Sequence, residues 1–229
     1  MSIKSGENPN DKVSKESEAS VITGMSEQDK ATLKKIDGVP NKTLQACGEK
    51  EATGMEAYRL QQGKHGGSNV FFNRDGKDCR YSLTDGVHGS MYLALAPDTA
   101  MKEVFQNKKG LKESDLDDYF MGTVVLEKDV DVLQMTTLLK KSHLTLHDVT
   151  TATREVTQAL AKKVHAAGFD GMMFPSNVTG EQCLVLWHDK PSGDGLVTTK
   201  SQKSLSEFKL NGRDAADVLV FDLNIPVEE

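Results

Sequence analysis

The chain has 229 residues, 37% of them hydrophobic, and its 34 acidic against 28 basic side chains leave a net charge of −6 at pH 7. With a pI near 5.6, it is not built to bind nucleic acid by bulk neutralisation of phosphate, so any anionic ligand must meet locally concentrated cations. No apolar run approaches the roughly eighteen residues of a membrane span, and no signal-peptide pattern opens the chain, so neither a span nor Sec export is expected.

Mean hydropathy of −0.46 is low for a wholly compact chain of this size, which points to solvated segments. Residues 1–30 contain no aromatic and no Leu and are rich in Ser, Lys and Glu. Such a segment is expected to stay disordered, because it cannot bury enough apolar surface to offset the entropy of ordering. It is compatible with a leader for Sec-independent export and equally with an ordinary tail. From Ser26, the pattern SEQDKATLKKI predicts a short helix with Ser26 as N-cap, ended by Gly38, Val39 and Pro40. Residues 41–54 read as a polar linker. The domain division that follows is 1–50 leader and linker, 55–190 main domain, and 191–229 an extension ending in a hairpin or edge strand.

The main domain opens on the strand-like run EAYRL, carrying Tyr58 and Arg59, followed by a loop with Gly63, Gly66, Gly67 and Gly76. That loop matches neither common phosphate-loop pattern and reads as a flexible rim. Cys79 to Glu103 is the stretch the rest appears organised around. It predicts a short strand with Arg80 and Tyr81, a loop at 85–90, an apolar strand at 91–96 with Tyr92, and a helix opened by Pro97. Glu103 then falls about two turns into that helix. A cation, two phenols and a carboxylate on one strand-loop-strand-helix unit can hold an anionic ligand beside a carboxylate. The plain alternative is a surface ion pair and a core-edge tyrosine.

Further on, 119–126 (YFMGTVVL) is a strong strand and 130–135 continues the sheet. A helix is predicted over 147–167, where Val149, Ala152, Val156, Leu160, Val164 and Ala167 make one apolar face, with Gly168 as terminator. Strands follow at 172–174, broken by Pro175 just before Ser176, and at 182–187. In the tail, 205–210 and 218–223 read as strands. Cys47, Cys79 and Cys183 are odd in number and fit no CxxC spacing, so neither a disulfide framework nor a zinc site is indicated, and a reducing cytosol is the natural compartment. The six histidines show no ligand spacing, and no metal is expected.

In this order, Tyr58-Arg59, Arg80-Tyr81, Met91-Tyr92-Leu93-Ala94, Pro97-Asp98-Thr99-Ala100, Glu103, Gly168-Phe169-Asp170-Gly171, Phe174-Pro175-Ser176 and Leu184-Val185-Leu186-Trp187 resemble the RES-domain family, named for its Arg, Glu and Ser. The likeness runs over roughly 56–188. Cys79 stands where the family usually has Gly, and Tyr81-Ser82 follow where it has an Arg-Phe/Trp-Asn run. The resemblance implies an α+β fold similar to ADP-ribosyltransferase toxins, with mixed and antiparallel sheets and flanking helices. It also implies a bacterial toxin that takes NAD as substrate and is restrained by an antitoxin or immunity protein. On that likeness Glu103 is the catalytic carboxylate beside the ribose C1′, and Arg59 and Arg80 hold the pyrophosphate end. Tyr92 and Tyr81 stack on or support the ligand, and Ser176 donates to the ligand or fixes Glu103. Hydrolysis or phosphorolysis of NAD, ADP-ribosyl transfer to a protein, and a non-catalytic interaction module remain open.

Overall fold

The computed structural model describes residues 25–228, so the leader expected to be disordered lies outside the described residues up to position 24. Helix α1 (Glu27–Asp37) starts at Ser26, whose Oγ accepts the Asp29 amide at 3.1 Å and donates to the Asp29 carboxylate at 2.7 Å. This N-cap satisfies a first-turn donor that would otherwise have no helical partner.

Residues 41–54, expected as a linker, instead form α2 (Asn41–Gln45) and β1 (Gly48–Glu51). Leu44 and Cys47 are buried, and β1 pairs antiparallel with β6 (Val130–Gln134). The sequence GEKE lies almost wholly exposed at a sheet edge, so it carries none of the alternation that marks a half-buried strand.

The remaining elements are β2 (Glu56–Gln62), β3 (Gly89–Ala94), α3 (Pro97–Phe105), β4 (Leu111–Lys112), β5 (Tyr119–Leu126), α4 (Met135–Lys141), α5 (Leu146–Thr150), α6 (Arg154–Ala166), β7 (Gly171–Pro175), β8 (Gln182–His188), β9 (Val197–Ser204), β10 (Lys209–Leu210), β11 (Arg213–Asp214) and β12 (Val227–Glu228). Among the described residues, eight strands form one sheet in the order β1-β6-β7-β8-β3-β2-β5-β9, antiparallel throughout except for β6 beside β7. The architecture is therefore α+β, a large mixed sheet with flanking helices. Strand β8 is central and buried on both faces. Val185 and Trp187 join the larger apolar cluster on one side, and Leu184 and Leu186 the smaller one on the other. That is why QCLVLW reads as a continuous apolar run.

Three further expectations change. The helix predicted over 147–167 is two helices, α5 and α6, separated at Thr151, which leaves the helical region at φ −51, ψ 150. Thr150 Oγ1 donates to the Leu146 carbonyl at 2.8 Å, and Thr151 Oγ1 accepts the Thr153 amide at 3.3 Å. Threonine hydroxyls thus give this backbone an alternative to continuing the helix. Ala152 is accordingly exposed, while Val149, Val156, Leu160 and Val164 are fully buried. In the tail, the strand lies at β9 rather than 205–210. Its VTTKSQKS sequence pairs with β5 at the sheet edge, and the short β10–β11 ladder and β12, paired parallel with β4, follow. The segment 218–223 is a wide helical turn instead of a strand, with Val218 and Leu219 buried and Phe221 turned out to solvent.

One break in the sheet positions everything that follows. Strands β2 and β3 are neighbours through a single pair, Tyr58 with Ala94, whereas β2 pairs with β5 over its whole length. Beyond that pair the two strands part, and the ladder opens between Arg59 and Leu60 on one side and Tyr92 and Leu93 on the other. Helix α3 packs across both strands. A cleft with regular structure on each wall results.

Candidate functional site

The cleft holds a cavity of about 460 Å³, and its lining includes Arg59, Arg80, Tyr92, Glu103 and Arg154. Four of these are sequence candidates, brought together from β2, the loop before β3, β3 itself and α3. Ser176 does not line the cavity but reaches it through Glu103.

Glu103 is half-buried on α3, on the same face as the buried Thr99 and Ala100, while Met101 and Phe105 are buried on the opposite face. The Ser176 hydroxyl donates to Glu103 Oε1 at 2.6 Å and accepts the backbone amides of Val178 and Thr179 at 3.0 and 3.1 Å. With both acceptor positions engaged, the single hydroxyl proton has one direction left, toward the carboxylate. The turn that carries Ser176 is closed in its turn by the Ser176 amide on the Glu181 carbonyl at 2.7 Å. A serine 4% exposed therefore fixes the rotamer of a half-buried carboxylate. Below it, the Cys183 thiol is pushed up to about 12, by burial first and then by the Glu103 charge. Cys183 is a neutral thiol wall, not a nucleophile.

Arg59 is held by Asn69, whose backbone carbonyl accepts from Nη1 at 2.7 Å. Asn69 is itself fully buried, donating to the carbonyls of Arg59 and Phe120 at 2.9 and 3.1 Å and accepting from Gln202 at 2.6 Å. Gly122 leaves the room: a Cβ there would run into the Asn69 side chain. The Gly-rich loop after β2 thus works by one anchored asparagine. Burial lowers the Arg59 guanidinium from its ordinary value, but it remains a cation at any physiological pH.

Arg80 and Tyr81 are not on a strand. Residues 77–81 form turns, beginning with the Cys79 amide on the Gly76 carbonyl at 2.9 Å. Two distant side chains hold this loop. Gln158 of α6, 7% exposed, donates to the carbonyls of Lys77 and Cys79 at 2.8 and 2.9 Å. The Trp187 indole donates to the Tyr81 carbonyl at 2.8 Å. A strand ladder would have used those same carbonyls, and long-range partners took them instead.

Tyr81, expected to touch the ligand, is a core residue. It is 1% exposed, its hydroxyl donates to the Val149 carbonyl at 2.9 Å, and its ring packs edge-on to Phe174 with centroids 4.9 Å apart. It also borders the cavity, and its amide donates to the Tyr92 hydroxyl at 2.9 Å. Tyr92 lines the cavity with its phenol raised by burial, so it stays protonated and has a donor left for a neighbour or ligand.

None of Arg59, Arg80 and Arg154 is paired with a carboxylate among the described residues. In a chain with net charge −6, three cations converge on one cavity whose acidic lining is Glu103 and Asp78. Arg154, Gln158 and Asn69 were not anticipated from the sequence. For Arg154 the predicted single helix over 147–167 hid the signal, since only the break at Thr151 places it in a first turn, where the dipole disfavours a cation. For Gln158 and Asn69 there was none, because their partners are 79 and 51 positions away.

The RES domain family model matches residues 57–206, more than half of the chain. Among solved structures, the chain is similar to the crystal structure of the M. tuberculosis MbcT–MbcA toxin–antitoxin complex, at 19% identity and a TM-score of 0.54, covering 72% of this chain and 91% of that one. A comparison with curated proteins finds no match. No helix among the described residues is long and apolar enough to cross a membrane. Arg59, Arg80, Glu103 and Ser176 lie together at this cleft, and the chain belongs to the RES-domain family.

Proposed function

We propose that this chain is a toxin that binds NAD in the β2–β3 cleft and cleaves its nicotinamide–ribose bond, transferring ADP-ribose to water or phosphate. The observation that carries the reading is the Ser176–Glu103 pair at 2.6 Å, beside a cavity lined by three arginines with no carboxylate partner among the described residues.

Loss of nicotinamide passes through an oxocarbenium-like transition state, as in glycoside cleavage. Nicotinamide departs as a neutral group from a cationic centre, so no strong general acid is required. A fixed carboxylate stabilises the positive charge that develops at C1′ and orients the incoming nucleophile. Glu103 fills that role, with Ser176 as its positioning residue. Guanidinium forks match phosphate oxygens in pairs, which suits Arg59 and Arg80 to the pyrophosphate. Tyr92 presents an aromatic edge and one donor beside them. Membership of the family and the toxin–antitoxin assembly of the similar structure support a cognate antitoxin as partner and action in the cytosol.

The test is incubation of the purified protein with NAD and chromatography of the products, with Glu103→Gln alongside. Nicotinamide release by the wild type alone is expected. ADP-ribose as co-product indicates hydrolysis, ADP-ribose 1″-phosphate indicates phosphorolysis, and label retained on protein indicates transfer. Intact NAD with folded wild type removes the proposal.

A further inference from the structure

We propose that Arg154, acting with Arg80, forms a phosphate-binding subsite of the cleft that grips one phosphate of a pyrophosphate-bearing ligand. The reading of the ligand as NAD supplies only the ligand's identity; the subsite itself rests on the following observations.

Both guanidiniums line the same cavity, one from a loop and one from the start of α6. In each, a buried nitrogen has no hydrogen-bond partner among the described residues, Nε in Arg80 and Nη1 in Arg154. Buried donors on a cation are rarely left unmatched, because desolvation is then uncompensated. Two such guanidiniums lining one cavity mark the place of an acceptor with several oxygens. The two charges lie around the same loop: both bear on the Tyr81 phenol, and Arg154 also bears on the Cys79 thiol.

The position of Arg154 runs against a local rule, although Glu155 in the same first turn and Asp29 beside the N-cap offset part of the helix pole. It is the first residue of a 13-residue helix, whose positive pole disfavours a cation. Its N-cap, Thr153, makes no capping bond to the helix and instead donates to Asp29 at 3.0 Å. Uncapped first-turn amides, a helix pole and two guanidiniums all carry the same sign, and an anion resolves every one of these conflicts together. A carboxylate would occupy one guanidinium fork. A tetrahedral phosphate presents oxygens in enough directions for donors arriving from two elements.

The experiment is calorimetric titration of the full chain with ADP and with adenosine, for wild type, Arg154→Ala and Arg154→Lys. Arg154→Ala is expected to bind ADP about tenfold or more weakly and adenosine no differently, with Arg154→Lys in between because it keeps charge without the fork. Thermal melting accompanies each variant, and Arg154→Lys reads the subsite if Arg154→Ala fails to fold. Equal ADP affinity in wild type and folded Arg154→Ala overturns the subsite, as does a wild type that binds no ADP. NAD turnover in the same samples separates the two readings. Arg154-dependent ADP binding without NAD cleavage keeps the subsite and removes NAD as substrate, whereas NAD cleavage with unchanged KM in Arg154→Ala does the reverse.

Discussion

Replacing Ser176 by Ala tests how the site is held. The hydroxyl donates to Glu103 at 2.6 Å and accepts two backbone amides at 3.0 and 3.1 Å. A hydrogen bond to a charged group contributes about 1.5–3 kcal/mol and a neutral one about 0.5–1.5 kcal/mol. Glu103 is only half-buried, so water replaces part of the first term, and the amides lie at the cleft rim. The lower ends apply, giving a loss of about 2–3 kcal/mol, or about 4–10 °C in Tm for a domain of this size. Turnover falls more than stability does, because the carboxylate loses its orientation and a displacement of order 1 Å costs about 100-fold. Glu103→Gln keeps the shape and removes the charge, and it should cost more still. The double variant decides the matter. If Ser176 acts through Glu103, adding Ser176→Ala to Glu103→Gln changes kcat little further, a non-additive result measured by NAD consumption at saturating substrate. Full additivity, or Ser176→Ala with wild-type kcat and a lowered Tm, would show that the serine serves only its turn.

Further outcomes follow from the same contacts. Gly122→Ala forces Asn69 from its pocket, and overpacking of this kind costs about 1–3 kcal/mol. Because Asn69 anchors Arg59, its signature is a raised KM for NAD along with the lowered Tm. Gln158→Leu frees the carbonyls of Lys77 and Cys79 and should weaken ADP binding while α6 stays folded, seen as unchanged helical circular dichroism. Arg154→Gln removes a cation from a helix N-terminus, so without ligand it melts no lower than wild type and up to about 3 °C higher. Asp148 is buried, which alone would raise it, yet the Thr145 amide, Lys35 and the Thr32 and Thr145 hydroxyls together hold its carboxyl well below the usual range. Depressed in the folded state, it stabilises fully above the unfolded value near 3.9 and loses that contribution as pH falls through the folded one. Asp148→Asn should therefore cost about 2–3 kcal/mol at pH 7, since Lys35 can reach water, and flatten the acid limb of the stability curve.

The parts of this chain that were legible in the sequence are those whose partners are close by or whose faces are uniformly buried. Strand β5 occupies the predicted 119–126, and Pro97 and Gly168 sit at the start of α3 and just beyond α6 as read. In those places propensity, pattern and tertiary packing agree. The polar edge strands β1 and β9 escaped notice because an edge exposed on both faces carries no apolar period, and only the register with β6 and β5 makes them strands. Tyr81 is the instructive case, a nearly fully buried ring that nonetheless borders the cavity. Its place between Arg80 and the apolar run suggested a ligand-facing phenol, and the likeness to the family encouraged the same view. Gln158 and Trp187 bind the loop's carbonyls from α6 and β8, and the Tyr81 ring packs edge-on to Phe174 while Arg80 beside it lines the cavity.

The placement of Tyr81 and the cleft share one cause. A ladder continued between β2 and β3 past Tyr58 and Ala94 would pair Arg59 with Leu93 and Leu60 with Tyr92 and close the gap that the cavity occupies. The fold keeps the gap open by engaging polar backbone with side chains brought from elsewhere: Asn69 beside β2, Gln158 and Trp187 on the Arg80 loop, Ser176 under α3. Each stands in for a hydrogen bond that regular structure would have made, and each at the same time sets the direction of one charged group. Charge placement and the interruption of the sheet are therefore a single structural device. Variants at Asn69, Gln158 and Ser176 should accordingly weaken ligand binding or turnover by more than their cost in stability accounts for.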